Sequence, residues 1–108
     1  MHSTLYVRCF NPSCKGYWTD NRDYNLLYLK HYQTYFNELL KVRGYVFLRD
    51  IYEALGFPIT KESVVVGWWY DLSESTIYKG VDFGINYDTT GPDILLNFNV
   101  MGNVSEHL

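Results

Sequence analysis

One stretch without proline or internal glycine predicts the longest element of the fold. Residues 21–44 read NRDYNLLYLKHYQTYFNELLKVRG. Asp20 or Asn21 can cap a helix and Gly44 suits the left-handed position after its end, so the pattern predicts a helix over residues 21–43. At about 100° per residue, the apolar side chains fall within an arc of roughly 160°, opposite a polar face. The apolar arc holds Tyr24, Tyr28, Leu29, Tyr32, Tyr35, Phe36, Leu39, Leu40 and Val42, and the polar face holds Lys30, Gln33, Thr34, Asn37 and Lys41.

The segments on both sides of this helix predict short strands and a second helix. Residues 4–10 are rich in β-forming residues and end at a proline turn, and residues 48–55 repeat apolar side chains at helical spacing before Gly56. Residues 64–70 are apolar on both faces, whereas residues 81–88 and 94–101 alternate apolar with polar. We therefore expect one α+β domain over residues 1–108, in which an N-terminal strand and two helices pack on a three-stranded antiparallel meander.

Charge and composition disfavour nucleic-acid-binding, membrane-spanning and secreted proteins. The 108 residues carry 12 acidic and 9 basic side chains, for a net charge of -3, which disfavours a dedicated nucleic-acid binder. Residues 1–49 sum to +4 and residues 50–108 to -7. The sequence has neither the run of about 20 apolar residues that spans a membrane nor a visible secretory signal. We therefore expect a cytoplasmic protein with an acidic second half.

The cysteines and histidines offer one weak metal site. Cys9 and Cys14 are separated by four residues that include a proline, but zinc normally takes four ligands. A mixed site would have to recruit His2 and His31, and two reduced free thiols are the simpler interpretation. Neither a catalytic triad nor a glycine-rich phosphate loop is present in the sequence. We therefore expect no metal, no cofactor and no catalytic residues, and a non-enzymatic protein.

A polar surface is predicted on two of the expected strands. Asp82, Asn86 and Asp88 project from one face of their strand, and Asn97 and Asn99 can project from the same face of the next. Such an oxygen-rich surface suits a hard cation, a partner protein or simply solvent. Strand alternation alone predicts a solvated face.

Aromatic residues form the other candidate surface. They make up 19% of the chain, with 11 tyrosines, 6 phenylalanines and 3 tryptophans. Bases can stack on such side chains, but a single-strand binder also needs interleaved Lys and Arg, which the strand over residues 64–70 lacks. Tyrosine and tryptophan also dominate protein interfaces. We therefore predict a protein-binding surface that contains Tyr24, Tyr28 and Tyr35 together with the polar residues at 82, 86, 88, 97 and 99.

Four sequence blocks in fixed order carry a resemblance to a known family. They are GYVFLRDIYEALGFP at 44–58, VVGW at 65–68, VDFGI at 81–85 and LLNFNV at 95–100, and residues 24–40 are similar as well. Over residues 23–104 the chain resembles the C-terminal domain of uncharacterised proteins encoded by phages and prophages of Gram-positive bacteria, a domain of unknown function. The resemblance implies a small phage-derived protein in the bacterial cytoplasm and implies no reaction.

Three functions follow as hypotheses. The first is a non-enzymatic phage protein that binds a host or defence protein, for example an anti-CRISPR-type inhibitor whose acidic surface occupies a basic nucleic-acid channel. The second is a virion or assembly component that acts by self-association through the wide face of the long helix. A small metal-dependent enzyme or a nucleic-acid binder is the third.

Overall fold

The described residues form two helices, two small antiparallel sheets and two short 3₁₀ turns. The computed structural model describes residues 6–70, 80–88 and 90–107. The elements in chain order are β1 (Val7–Phe10), α1 (Arg22–Arg43), β2 (Tyr45–Phe47), α2 (Leu48–Leu55), β3 (Val66–Trp69), β4 (Ile94–Asn97) and β5 (Gly102–Asn103), with 3₁₀ turns at Glu62–Val64 and Val104–His107.

The predicted α+β class is confirmed. An N-terminal strand, one long and one short helix and a three-stranded antiparallel sheet are all present. β1 pairs with β4 in a two-stranded sheet, and β3 lies in the middle of the three-stranded sheet between β2 and β5. Gly67 of β3 has a partner on both sides: it pairs with Phe47 of β2 and with Gly102 of β5.

Both helices end close to the predicted positions, at the capping residues that the sequence contains. The Asn21 side chain accepts a 3.0 Å hydrogen bond from the Tyr24 N–H at the start of α1. Gly44 ends that helix with a φ of 91°, and Gly56 ends α2 with a φ of 85°. Both values lie in the left-handed region that only glycine adopts without cost, so the chain turns sharply after each helix.

The predicted meander of residues 64–70, 81–88 and 94–101 is wrong in one pairing. In the described part of the chain, residues 64–70 do not pair with 81–88, whereas 81–88 and 94–101 are hydrogen-bonded to each other. β3 pairs with the short strand β2, which the sequence analysis missed, while the segment over 94–101 splits into β4 and the approach to β5. Within the described residues, 81–88 form no assigned strand, although the Asn97 N–H bonds to the Phe83 carbonyl and the Asn86 N–H to the Leu95 carbonyl. Gly84 breaks the extended path with a φ of 61°. Residues 4 and 5 of the expected first strand lie outside the described residues.

The polar face of α1 is partly covered by residues 81–83. Asn37 Nδ2 donates to the Val81 carbonyl at 2.9 Å, and the Val81 N–H donates to Asn37 Oδ1 at 2.8 Å. The Phe83 N–H donates to Gln33 Oε1 at 2.9 Å. Helix side chains thus supply hydrogen bonds to residues 81–83 that a neighbouring strand would otherwise supply.

Buried Asn25 ties the first turn of α1 to two loops. Its Nδ2 donates to the carbonyls of Thr19 at 2.8 Å and Pro92 at 3.2 Å, and its Oδ1 accepts from the Thr19 N–H at 3.0 Å. Because a buried amide without partners is costly, these bonds fix the start of the helix in one position.

Aromatic side chains fill much of the core. Phe10, Tyr52, Trp68 and Phe83 are fully buried, and Phe98 is nearly so. The Phe98 ring meets those of Tyr52 at 5.9 Å and Phe83 at 5.4 Å in edge-to-face contacts. Part of the aromatic surplus therefore belongs to the core, and another part lies on α1.

Candidate interaction surface

Four tyrosines spaced by four, four and three residues run along α1, and they differ in exposure. This tyrosine row consists of Tyr24, Tyr28, Tyr32 and Tyr35. Tyr24 is 54% exposed and Tyr35 is 48% exposed, whereas Tyr28 and Tyr32 are half-buried. Two of the three tyrosines expected to contact a partner are thus at the surface.

Tyr28 is turned towards the protein interior. Its ring stacks on Phe10 with centroids 5.9 Å apart and planes inclined by 12°. Its hydroxyl donates a 2.7 Å hydrogen bond to the Ala54 carbonyl at the end of α2. Burial, followed by the neighbouring phenols of Tyr32 and Tyr17, raises the pKa of Tyr28 to about 12. Tyr28 therefore joins α1 to α2, and the expectation that it contacts a partner finds no support in this geometry.

Ring contacts link three members of the row, Tyr28, Tyr32 and Tyr35, into one unit. The Tyr32 ring lies 5.0 Å from Tyr28 and 5.9 Å from Tyr35, and Tyr35 meets Phe36 edge-to-face at 5.0 Å. Each such pair adds roughly 0.5–1.5 kcal/mol beyond the area it buries. The exposed Tyr35 ring is thereby held in place, which lowers the entropy lost when a partner covers it. Tyr32 belongs to this unit and is absent from the sequence-derived contact set, although its spacing of four from Tyr28 signals it.

An open cleft of about 560 Å³ lies between α1 and α2, beside the exposed end of the row. We call it the α1–α2 cleft. Aromatic and aliphatic side chains come mainly from α1 and carboxylates from α2. The lining residues are His31, Tyr32, Tyr35, Phe36, Leu39, Arg43, Asp50, Glu53 and Ala54.

The charged side chains of the cleft differ in how firmly the protein's own groups bind them. Arg43 bonds to the Asp50 carboxylate at 2.8 Å and to the Tyr45 carbonyl at 2.9 Å, and Asp50 also accepts from the Phe47 N–H. Glu53 lies 3.9 Å from Arg49, in a pair whose side chains are 63% and 45% exposed. Such an exposed pair contributes little, so Glu53 is the carboxylate of the cleft that a partner can engage at low cost.

The polar surface predicted at residues 82–99 is largely used to hold its own backbone. Asp82 accepts from the Gly84 N–H at 2.8 Å, and Asn86 accepts from the Asp88 N–H at 2.9 Å. Asn99 Oδ1 accepts from the Trp68 indole N–H at 3.0 Å and from the Asp82 N–H at 2.8 Å. These three side chains shape the loop. Asp82 and Asn99 are nevertheless exposed, as are Asp88 and Asn97.

The two cysteines are separate free thiols. Cys9 is partly buried on β1, and Cys14 is fully buried, which raises the pKa of its thiol. Within residues 6–70, 80–88 and 90–107, no three His, Cys, Asp or Glu side chains are grouped closely enough to hold a metal ion. His31 lies on the exposed face of α1, and His2 lies outside the described residues.

No helix in the described part of the chain is both long and apolar enough to cross a membrane.

Fold and surface together define a small α+β domain with a tyrosine row beside an open cleft. The chain belongs to DUF6353, a family of unknown function whose model matches residues 1–108. The matched region includes the Cys9 and Cys14 segment, which lies outside the span of the sequence resemblance. Neither the curated proteins nor the solved structures contain a match to this chain.

Alkaline pH is expected to destabilise the protein through Tyr28. Its pKa is about 12 in the folded protein against an ordinary 10.0, so its stabilising contribution is complete below pH 10 and is lost as the pH rises from 10 towards 12. Phenolate absorbance in a stepwise titration should show a late phase at high pH, and Tyr28→Phe should remove one phenol from it. A late phase of unchanged size in Tyr28→Phe would show that other tyrosines produce it.

Proposed function

We propose that this protein is a non-enzymatic protein-binding domain whose partner docks on the α1–α2 cleft and on the exposed Tyr35 beside it. The observation that carries the proposal is the position of Tyr35. Its ring is about half exposed, yet contacts with Tyr32 and Phe36 fix it at the mouth of a 560 Å³ cleft.

The proposal is supported by the small loss of conformational entropy when a partner covers such a surface. Tyrosine presents a large amphipathic contact area with few rotatable bonds, and tyrosines are enriched among the residues that dominate protein interfaces. The cleft adds a concave apolar floor from Phe36, Leu39 and Ala54. An aromatic ring that the partner covers completely, near the centre of the contact, is a frequent interface anchor.

The source and the partner are part of the same proposal. The four ordered sequence blocks support a phage or prophage origin and a site of action in the bacterial cytoplasm. The acidic second half, with a net charge of -7 over residues 50–108, supports a basic partner such as a host or defence protein that binds nucleic acid. An RNA-guided nuclease, whose channel carries many positive charges, is one protein of this kind.

Self-association is the second candidate function. Leu27 is 67% exposed and Val42 is 85% exposed on α1, outside the cleft. Pairing of two such helices would cover both side chains and would suit a virion or assembly component. Light scattering separates the candidates, since a stable oligomer supports self-association and a monomer supports a hetero-partner.

Affinity capture from an infected bacterial host tests the main proposal. Tyr35→Ala should lower the recovery of the bound protein, because an anchoring tyrosine contributes about 2 kcal/mol or roughly a 30-fold change in affinity. Tyr87→Ala is the matched control, because Tyr87 is also exposed and does not line the cleft. Equal recovery with the wild type and with both variants would refute a contact at the cleft.

A further inference from the structure

We propose that the α1–α2 cleft takes a basic side chain, lysine or arginine, from the partner, with Glu53 as its carboxylate and Tyr35 as its aromatic wall. The inference rests on the proposed function of this cleft and names the chemistry of what enters it.

The charge balance of the cleft favours a cation. Asp50 is already matched by Arg43, which also bonds to the Tyr45 carbonyl and lies over the Tyr45 ring at 4.4 Å. Arg43 is therefore fixed by its own protein. Among the residues that the structure describes, Glu53 has only the loose contact with Arg49 at 3.9 Å, and both side chains are largely exposed. An incoming cation can replace that contact at little cost.

The aromatic wall favours the same ligand. Tyr35 meets Phe36 at 76° and Tyr32 at 77°, so its neighbours touch it edge-to-face and hold the ring in one orientation. A cation over a tyrosine ring is attracted by roughly 0.5–1 kcal/mol at an exposed site. Basic groups of this chain already lie over aromatic rings elsewhere, as Lys30 does over Tyr87 at 5.3 Å.

Other occupants fit less well. A purely apolar segment would bury the Glu53 carboxylate without a partner, which is costly. An acidic segment would meet the Glu53 carboxylate with charge of the same sign. A basic side chain on an apolar stem pairs with the Glu53 carboxylate and covers the floor formed by Phe36 and Leu39.

Nuclear magnetic resonance titration of the full chain with two capped amino acids tests the proposal. N-acetyl-arginine methylamide should shift the amide signals of residues 31–39 and 50–54, and N-acetyl-glutamate methylamide should not. Glu53→Gln should weaken the arginine response about 5-fold, in line with roughly 1 kcal/mol for such a contact. Glu106→Gln is the control, since Glu106 is exposed and does not line the cleft. Thermal melting of both variants confirms that they are folded.

The outcomes separate this inference from the proposed function. Equal responses to the two probes, or a Glu53→Gln response equal to that of the wild type, would overturn the basic side chain as the ligand. If Tyr35→Ala nevertheless fails to capture the partner, the cleft is still the contact surface, but the group that enters it is not a basic side chain. If Tyr35→Ala captures as much as the wild type, the proposed function fails whatever the probes show.

Discussion

Trp68→Ala is expected to lower the free energy of unfolding by about 4 kcal/mol, the largest effect of any single truncation in this protein. Trp68 is fully buried at the centre of β3, opposite Val46 of β2. Its indole N–H donates to the Asn99 carbonyl at 3.1 Å and to Asn99 Oδ1 at 3.0 Å. Removal of the ring leaves a cavity in the core and takes the indole donor from Asn99, which also holds the Asp82 backbone.

Urea denaturation followed by circular dichroism measures this loss. A domain of this size has a total stability of roughly 5–15 kcal/mol, so Trp68→Ala should keep only about 1–11 kcal/mol and should unfold at a clearly lower urea concentration than the wild type. Trp69→Ala is the matched control. Trp69 is only partly buried and stacks on His107 near the chain end, so its loss should cost far less. Similar midpoints for the two variants would contradict the packing described for β3.

Gly84→Ala is expected to cost about 3 kcal/mol, and Gly91→Ala about 1 kcal/mol. Both glycines have a positive φ, 61° and 80°, so both variants incur the strain of a left-handed alanine. A Cβ at position 84 would also overlap the Asn97 carbonyl, whereas a Cβ at 91 would meet no atom within 4 Å. The difference between the two variants therefore isolates the close approach of residues 82–86 to β4.

The same denaturation experiment decides this prediction. Gly84→Ala should lose roughly 2 kcal/mol more than Gly91→Ala, and the excess measures the cost of moving two backbone segments apart. Equal losses would mean that the segment at 84 can move away from Asn97 freely, and that its contact with β4 contributes nothing.

The helices are predictable from the sequence because their signals are local. Asn21 and Gly44 set the ends of α1, and the predicted range of 21–43 differs from the observed Arg22–Arg43 by one residue. The strand pairs are not predictable in this way. β2 has only three residues between two helices, and its pairing with β3 depends on contacts between residues far apart in sequence.

Only part of the candidate surface was predicted correctly, because the rest depends on contacts between residues far apart in sequence. Helical spacing places Tyr24, Tyr28 and Tyr35 on one side of α1, but it does not reveal which of them a second helix covers. Tyr28 is turned towards the interior, where its hydroxyl donates a hydrogen bond to the Ala54 carbonyl at the end of α2, whereas Tyr35 is exposed. Glu53 carries no sequence signal as a site residue, because its role depends on how α2 packs against α1. Asn99 was expected to face a partner, yet it is bound to Trp68.

Site-specific photo-crosslinking in the cells that produce this protein tests the central claim most directly. A photoreactive phenylalanine analogue is placed at position 35, at the mouth of the α1–α2 cleft, or at position 87, an exposed site elsewhere on the protein. We expect position 35 to give a covalent adduct with a different protein and position 87 to give none. Adducts at position 87 but not at 35, or an adduct at 35 whose mass equals two copies of this chain, would contradict a hetero-partner at the cleft.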